Sequence, residues 1–432
     1  MNIRALTIVG GGSAYTPGLL LALLQHKEQH ALERVVLYDI DEEHLDVVCR
    51  LGQAMAAADG APFLVEKRTS LAEAVSGTDL VLNSARPGGL RCRRIDETLP
   101  LELGIPGQET VGPGGFFFAL RSVPEALRLA ATMKEVAPSA LLFNYTNPTN
   151  VVSQALVDAG YDNVIALCDQ SDEDLLLLGR SLGFGDVEHD ALRFQCAGLN
   201  HATWYTDVSF AGRPLPPLAE RKLAIADDLD DEKRLRLEVC DALSGLAPGF
   251  WPNSYLAYYT RPDLFVALLG RRPPRAEVIE RSLASYYAHF VEEAAREAPE
   301  LKHHRGTEGF GDLVVRALIA LGAPERTRLV LNVQNRGITS QLDRATVVES
   351  VVEVSASGVH RTRAPDLPLG QETLIFALEE YQRRAAEAAA KGDRGAAVKA
   401  LAANPLVPGK EVAERMLAAA QSRYGSALPM FA

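Results

Sequence analysis

Cys168 and His201 are the side chains in this sequence best suited to hold a transition metal, because a thiolate and an imidazole are both good ligands for a divalent ion. They stand in the pairs Cys168-Asp169 and Asn200-His201, 33 residues apart, so spacing alone does not join them. A cysteine at the end of an apolar run is equally a small buried hydrophobe, and a histidine near Trp204 is equally a satisfied structural residue. Tyr255 lies in PNSYLAYYT with Tyr258 and Tyr259. A tyrosine serves as a base only beside a charge that lowers its pKa, and three so close together also describe a packed aromatic helix face. Arg91, Arg93 and Arg94 follow the Gly88-Gly89 pair, with the chemistry to clamp a phosphate or carboxylate or else to form a solvated basic face.

A second kind of chemistry is written at the start, MNIRALTIVGGGSAYTPGLL. An apolar run, Ala5–Val9, meets the glycine triplet 10–12, and Pro17 and the leucines of 19–24 continue as a helix. A strand-to-helix turn of this kind holds a dinucleotide pyrophosphate with bare backbone N–H groups and a helix N-terminus. Gly10 and Gly12 fit the G-x-G-x-x-G spacing and Tyr15 occupies the third position, so Gly10, Gly12 and Ser13 are the expected cradle. The next apolar run ends in Asp39, a carboxylate able to accept both ribose hydroxyls of NAD and to repel the extra phosphate of NADP. Asp39 or Asp41 also suits capping the helix that follows.

These residues need a scaffold, and the first 170 residues supply one. Short apolar runs at Ala5–Val9, Arg34–Tyr38, 63–66, Leu80–Asn83, 140–143 and 164–167 alternate with helical stretches such as Glu42–Ala58 and 125–136. The pattern predicts an α/β fold, a Rossmann-like doubly wound parallel sheet over residues 1–170. Ligands bind beyond the C-terminal strand ends of such sheets, where Asn83, Arg86, Asn144, Asn147 and Cys168-Asp169 gather, with Asn83 on the cofactor side. Residues 171–432 read as a mixed α+β, mainly helical second domain. It has a strand near 193–197, helices near 227–241, 276–298 and 311–321, a β-rich return over 329–354 and a helical C-terminus. The glycine- and proline-rich segment 107–115 is expected to be a shaped loop, of the density that often lines sites.

Composition narrows the function classes. A chain of 432 residues that is 47% hydrophobic buries a large core, as one domain or two intimately joined ones. A net charge of −12 argues against nucleic acid or anionic membrane as partners. No apolar run approaches the ~20 residues that span a bilayer, and the direct entry into a strand is read as the absence of a signal peptide. Five scattered cysteines, at 49, 92, 168, 196 and 240, suit a reduced, cytoplasmic setting.

Taken in order, GGGSAYTP, LYDID, GGLRCRRIDETLPLELG, GQETVGPGGF, ALRSVP, NYTNPTN, LCD, GLNH, NSYLAYY, NVQNRG and KGDRGAAVKALAANPLV run along nearly the whole chain. Together they resemble the NAD- and metal-dependent glycosidases of glycoside hydrolase family four. The resemblance implies a lactate/malate dehydrogenase-like fold, NAD+ and a divalent ion, typically Mn2+, as cofactors, and an oxidation-led mechanism. In that mechanism NAD+ takes hydride from sugar C3, a tyrosine removes the acidified C2 proton, the aglycone leaves C1 by elimination, and water and hydride are returned. Cys168 and His201 match the family's metal ligands, Tyr255 its base with Tyr258 as a rival, and Arg93 and Asn147 the residues that hold the phosphosugar. Asp169 stands where an acid would serve the leaving group and the substrate.

The look of GGGSAYTP and GQETVGPGGF leads to 6-phospho-β-glucosides. Cys168-Asp169-Gln170-Ser171 departs from both C-N-x-P, common in phospho-β members, and C-D-M-P, common in phospho-α members, but keeps the acid of the latter. Ala257 replaces an arginine that members use near the phosphate. The alternatives are therefore a 6-phospho-α-glucosidase or a family member acting on unphosphorylated α-glycosides. The expected partner is a small phosphorylated disaccharide or glucoside, and the expected assembly a homo-oligomer, dimer or tetramer. Outside the family, an NAD-dependent 2-hydroxyacid dehydrogenase shares the first half of the pattern but lacks the Cys/His pair, and a binding protein without chemistry would have no use for Cys168, His201 and Tyr255 together.

Overall fold

The apolar run Ala5–Val9 forms β1, buried along its whole length as a strand covered on both faces must be. The computed structural model describes residues 1–303 and 310–428. Around β1 lie β2 (Arg34–Tyr38), β3 (Leu64–Arg68), β4 (Leu80–Asn83), β5 (Leu141–Asn144) and β6 (Val164–Ala166), all parallel, in the order β6-β5-β4-β1-β2-β3. The strand order reverses between β1 and β4. That reversal opens the crevice in which doubly wound sheets bind ligands. Each strand lies within two residues of its expected position, because apolar runs bounded by turn residues mark fully buried strands well.

The sheet does not stop at residue 170. β11 (Thr327–Gln334), β12 (Val347–Ser355) and β13 (Gly358–Arg361) extend it past β6 with antiparallel pairing, to nine strands. The β-rich return assigned to the second half of the chain thus completes the sheet of the first. Between them come β7 (Leu192–Leu199), β8 (Ala202–Phe210), the short β9 (Arg213–Pro214) and β10 (Phe250–Pro252), a small antiparallel sheet. The β7–β8 hairpin turns at Asn200-His201, and His201 adopts a left-handed φ of 62°.

Helices cover both sheets. Residues 227–241 become Asp231–Ser244, 276–298 become Arg275–Ala294, and 311–321 lie within Phe310–Gly322. The C-terminal part is helical as expected, in Glu372–Lys391, Arg394–Ala403 and Lys410–Tyr424. Segment 107–115 is not a loop throughout. The helix expected at 125–136 starts at Gly112, with Pro113 in its first turn, and runs through Pro124 to Val136. Its glycines serve close packing, since a Cβ on Gly114 would meet the Gln108 and Asp96 carbonyl oxygens at 2.2 and 2.5 Å. No helix among the described residues is long and apolar enough to cross a membrane.

Candidate active site at the strand ends

The fold joins the two halves of the proposed metal pair. Cys168 follows β6 and His201 sits on the β7–β8 turn, and the Cys168 Sγ lies 3.4 Å from His201 Nε2, both buried. Two ligands of one ion at about 2.3 Å (sulfur) and 2.1 Å (nitrogen) stand about 3.1–3.6 Å apart, so the spacing fits a shared cation. Burial, with the charge of Arg236 second, pushes the His201 imidazole down to about 3, which leaves it neutral and able to ligate. Burial first, then the charges of Asp169 and Glu349, pushes the Cys168 thiol well up. Beside the pair, the Asn200 Oδ1 is buried without a hydrogen-bond partner among the described residues. Among the described residues no third His, Cys, Asp or Glu joins this pair in a metal-holding group.

Tyr255 covers this pair. Its ring stacks on His201 at 4.1 Å between centroids and 6° between planes, and the Arg236 guanidinium lies 4.8 Å over the same ring. Burial pushes the Tyr255 phenol up and Arg236 pulls it back. Arg236 is itself buried and donates to the Ser254 hydroxyl at 3.0 Å. Tyr258 is fully buried and its hydroxyl donates to Glu232, away from the pair. Asp169 opens the helix Gln170–Ser181, and burial raises its carboxyl while a hydrogen bond from Tyr145 opposes that.

The glycine turn differs from its expected form. The N–H groups of Gly10 and Gly11 are not bare, because both donate to the Tyr38 carbonyl, at 2.9 and 2.8 Å, and that of Gly12 donates to Asp39 Oδ2 at 2.9 Å. The glycines are needed for close approach and conformation: Gly10 has φ +87° and a Cβ there would meet the Ala85 backbone at 3.0 Å. The Ala14 N–H, just before the helix Thr16–Gln25, is the donor of this turn left without a partner among the described residues. Of the two acids, Asp41 takes the capping role. It caps the helix Glu42–Ala58 through the His44 N–H, and Asp39 stays at the end of β2, half-exposed. Tyr287, on the helix Arg275–Ala294, donates to the Gly12 carbonyl at 2.7 Å and stacks on His44. Asn83 is turned inward and donates to Asn144 Oδ1 at 3.1 Å.

The three arginines go to different partners. Arg91 donates to the Tyr424 carbonyl and Arg94 to Glu280. Arg93 is no free cation, however, since it pairs with Glu97 at 2.7 Å and Glu109 at 3.0 Å, and Glu109 also takes Arg86. Asn147 Oδ1 accepts from the Thr149 N–H and hydroxyl, while its Nδ2 has no partner among the described residues. Sequence reasoning missed Glu349 altogether. This buried carboxylate on β12 bonds Ser171, Asn200 and Thr203, and its sequence signal is one of the two acids in the valine-rich run VVESVVEV.

Residues 5–172 match the model of the family 4 glycosyl hydrolases, and residues 196–407 that of the family's C-terminal domain. A Bacillus subtilis (strain 168) protein named "Probable 6-phospho-beta-glucosidase" is 28% identical over 98% of this chain and 97% of its own. The "6-phospho-alpha-glucosidase 1" of Lacticaseibacillus paracasei is also 28% identical, over 95% of each chain. Among solved structures, a 6-phospho-α-glucosidase from gut microorganisms in complex with NAD and Mn2+ superposes with a TM-score of 0.89 at 26% identity, covering 100% of both chains. A malate dehydrogenase from Plasmodium falciparum shares the fold alone, with a TM-score of 0.54 at 10% identity over 90% of this chain and all of its own. With both family models matched in order, and with a Cys/His pair and a tyrosine gathered at the strand ends, this chain belongs to glycoside hydrolase family 4.

Proposed function

We propose that the protein hydrolyses 6-phospho-α-glucosides, using NAD+ and a divalent ion, Mn2+ by preference. The observation that carries the reading is the stack of Tyr255 on His201, with Cys168 at 3.4 Å and Asp169 next to it in sequence. Cys168 and His201 would hold the cation, and the turn 10–14 with Asp39 the dinucleotide. When bound, NAD+ oxidises the sugar at C3 and the cation polarises its oxygens, which together acidify the C2 proton. Tyr255 takes that proton. Its ring stacks on His201 and lies under the Arg236 guanidinium, and the charge of Arg236, with that of a cation held at His201, would favour the phenolate against the upward push of burial. Asp169, whose carboxyl burial raises, would serve the leaving oxygen as its acid. Asn147 Nδ2 and Arg93 serve the sugar and its phosphate, and Arg93 must loosen from Glu97 or Glu109 to do so.

We take the α reading over the β lead, which came from the look of two motifs, because Asp169 supports it and one gut-microbial 6-phospho-α-glucosidase superposes with a TM-score of 0.89. A second such α-glucosidase and the 6-phospho-β-glucosidase of Thermotoga maritima superpose alike, at 0.85. Paired 4-nitrophenyl α- and β-glucoside 6-phosphates, with their unphosphorylated counterparts, test it in the presence of NAD+, Mn2+ and a reductant. Faster turnover of the α-phosphate without NADH build-up is expected. Preference for the β-phosphate returns the β reading, preference for the bare sugar removes the phosphate, and accumulating NADH marks a dehydrogenase.

A further inference from the structure

We propose that Glu349 is a positioning residue of the metal centre, a buried counter-charge that holds both ligand-bearing segments in register. The proposal rests on Cys168 and His201 being the metal ligands.

Glu349 is 1% exposed, and no lysine or arginine pairs with it among the described residues. Its partners are all neutral. Ser171 donates to Oε2 at 3.0 Å, Asn200 to Oε1 at 2.9 Å, Asn332 to Oε1 at 3.4 Å, and Thr203 also donates to Oε2. A carboxylate this deep is costly to keep ionised unless hydrogen bonds and a positive charge offset its lost hydration. Hydrogen bonds are present in number, and the positive charge is what a cation between Cys168 and His201 would add. The two positive charges of the ion would then face the Cys168 thiolate and Glu349, with His201 neutral.

The placement is set by strand register. Glu349 lies opposite Asn332, and Asn332 opposite Ala166, so one row across three strands ends two residues before Cys168. From that row the carboxylate reaches both ligand segments, through Ser171 three residues after Cys168 and through Asn200 and Thr203 on either side of His201. The His201 backbone is left-handed, a conformation a non-glycine residue holds only when its surroundings fix it, and Asn200 and Thr203 are its fixings. The chain of bonds continues to the base. The Tyr205 hydroxyl donates to Ser171 at 2.9 Å, Asn253 Nδ2 donates to that hydroxyl at 2.7 Å, and Asn253 Oδ1 accepts the Tyr255 N–H at 3.0 Å. Ligands and base thus hang from one buried carboxylate contributed by a strand more than 90 residues away in sequence from any of them.

Calorimetric Mn2+ titration of the NAD-loaded protein tests this, with the hyperfine spectrum of bound Mn2+ as a second readout. Glu349→Gln keeps the shape and removes the charge. Its Mn2+ dissociation constant is expected to rise about 10- to 100-fold, the usual effect of losing a group that orients metal ligands, with NAD affinity unchanged. Wild-type Mn2+ affinity in this variant overturns the proposal. If Glu349→Gln does not fold, Thr203→Val removes one donor and leaves the charge. A smaller rise in the dissociation constant is then expected, and no rise overturns the proposal. Cys168→Ser, run alongside, separates the two levels. If it also binds Mn2+ as the wild type does, the ligand assignment itself falls and this proposal with it. If it loses Mn2+ while Glu349→Gln keeps it, only the role of Glu349 falls.

Discussion

At Cys168 and His201 the protonation states make a prediction of their own. His201 is held neutral down to about pH 3, so its imidazole brings no proton to be displaced. The Cys168 thiol is pushed above its ordinary value by burial and keeps its proton at neutral pH, and a metal binds the thiolate. Each Mn2+ bound should therefore release one proton, and affinity should rise with pH by up to about tenfold per unit below the thiol pKa. Calorimetry in two buffers of different ionisation enthalpy measures this directly, and Mn2+ binding without proton release contradicts the assignment of Cys168. The residue types gathered here were legible in the sequence: Cys168, His201 and Tyr255 each have the chemistry expected of a ligand or a base. Their meeting was not, because it depends on β6 and the β7–β8 turn being brought together in space. Glu349 was illegible for the opposite reason. It lies in a valine-rich run, and its importance lies in partners distant in sequence, Ser171, Asn200 and Thr203.

Between elements, the most exposed weakness of the fold is the join of the helices Gly89–Thr98, Gly112–Val136 and Lys410–Tyr424. Asp96, fully buried on the first, takes both Arg121 Nη atoms from the second at 3.1 and 2.7 Å and the Tyr424 hydroxyl from the third at 2.6 Å. Asp96→Ala strands a buried guanidinium and should cost about 3–5 kcal/mol of stability, read by denaturant unfolding. A loss under about 1 kcal/mol, the range of an exposed ion pair, contradicts this view of the join. The same region shows where local patterns mislead. Gly112, Gly114 and Gly115 predict a loop because glycine is a poor helix former, yet they begin a 25-residue helix whose first turn packs against the 108–110 backbone. Tertiary contact overrides propensity there. In β1, β2 and β4, by contrast, the apolar runs and the strands coincide, because burial on both faces is itself what the sequence records.

For the whole molecule, the antiparallel strands β11 to β13 bind the C-terminal half into the N-terminal sheet. No periodicity announces such a pairing, since the strands lie more than 150 residues apart. One consequence is that residues 1–170 alone leave β6 as an uncovered edge, cut from Asn332. That fragment should not unfold cooperatively or bind NAD as the full chain does. A cooperative, NAD-binding fragment would mean the two halves are independent. Tyr255 is expected to remove a proton from C2 of the sugar rather than to assist a direct displacement at C1. Hydrolysis of the preferred glucoside 6-phosphate in D2O, with NAD+ and Mn2+, followed by NMR of the released sugar, tests it most directly. Deuterium at C2 is expected, because the position is refilled with a solvent-derived hydron, and a product carrying its original hydrogen at C2 would mean direct displacement at C1 instead.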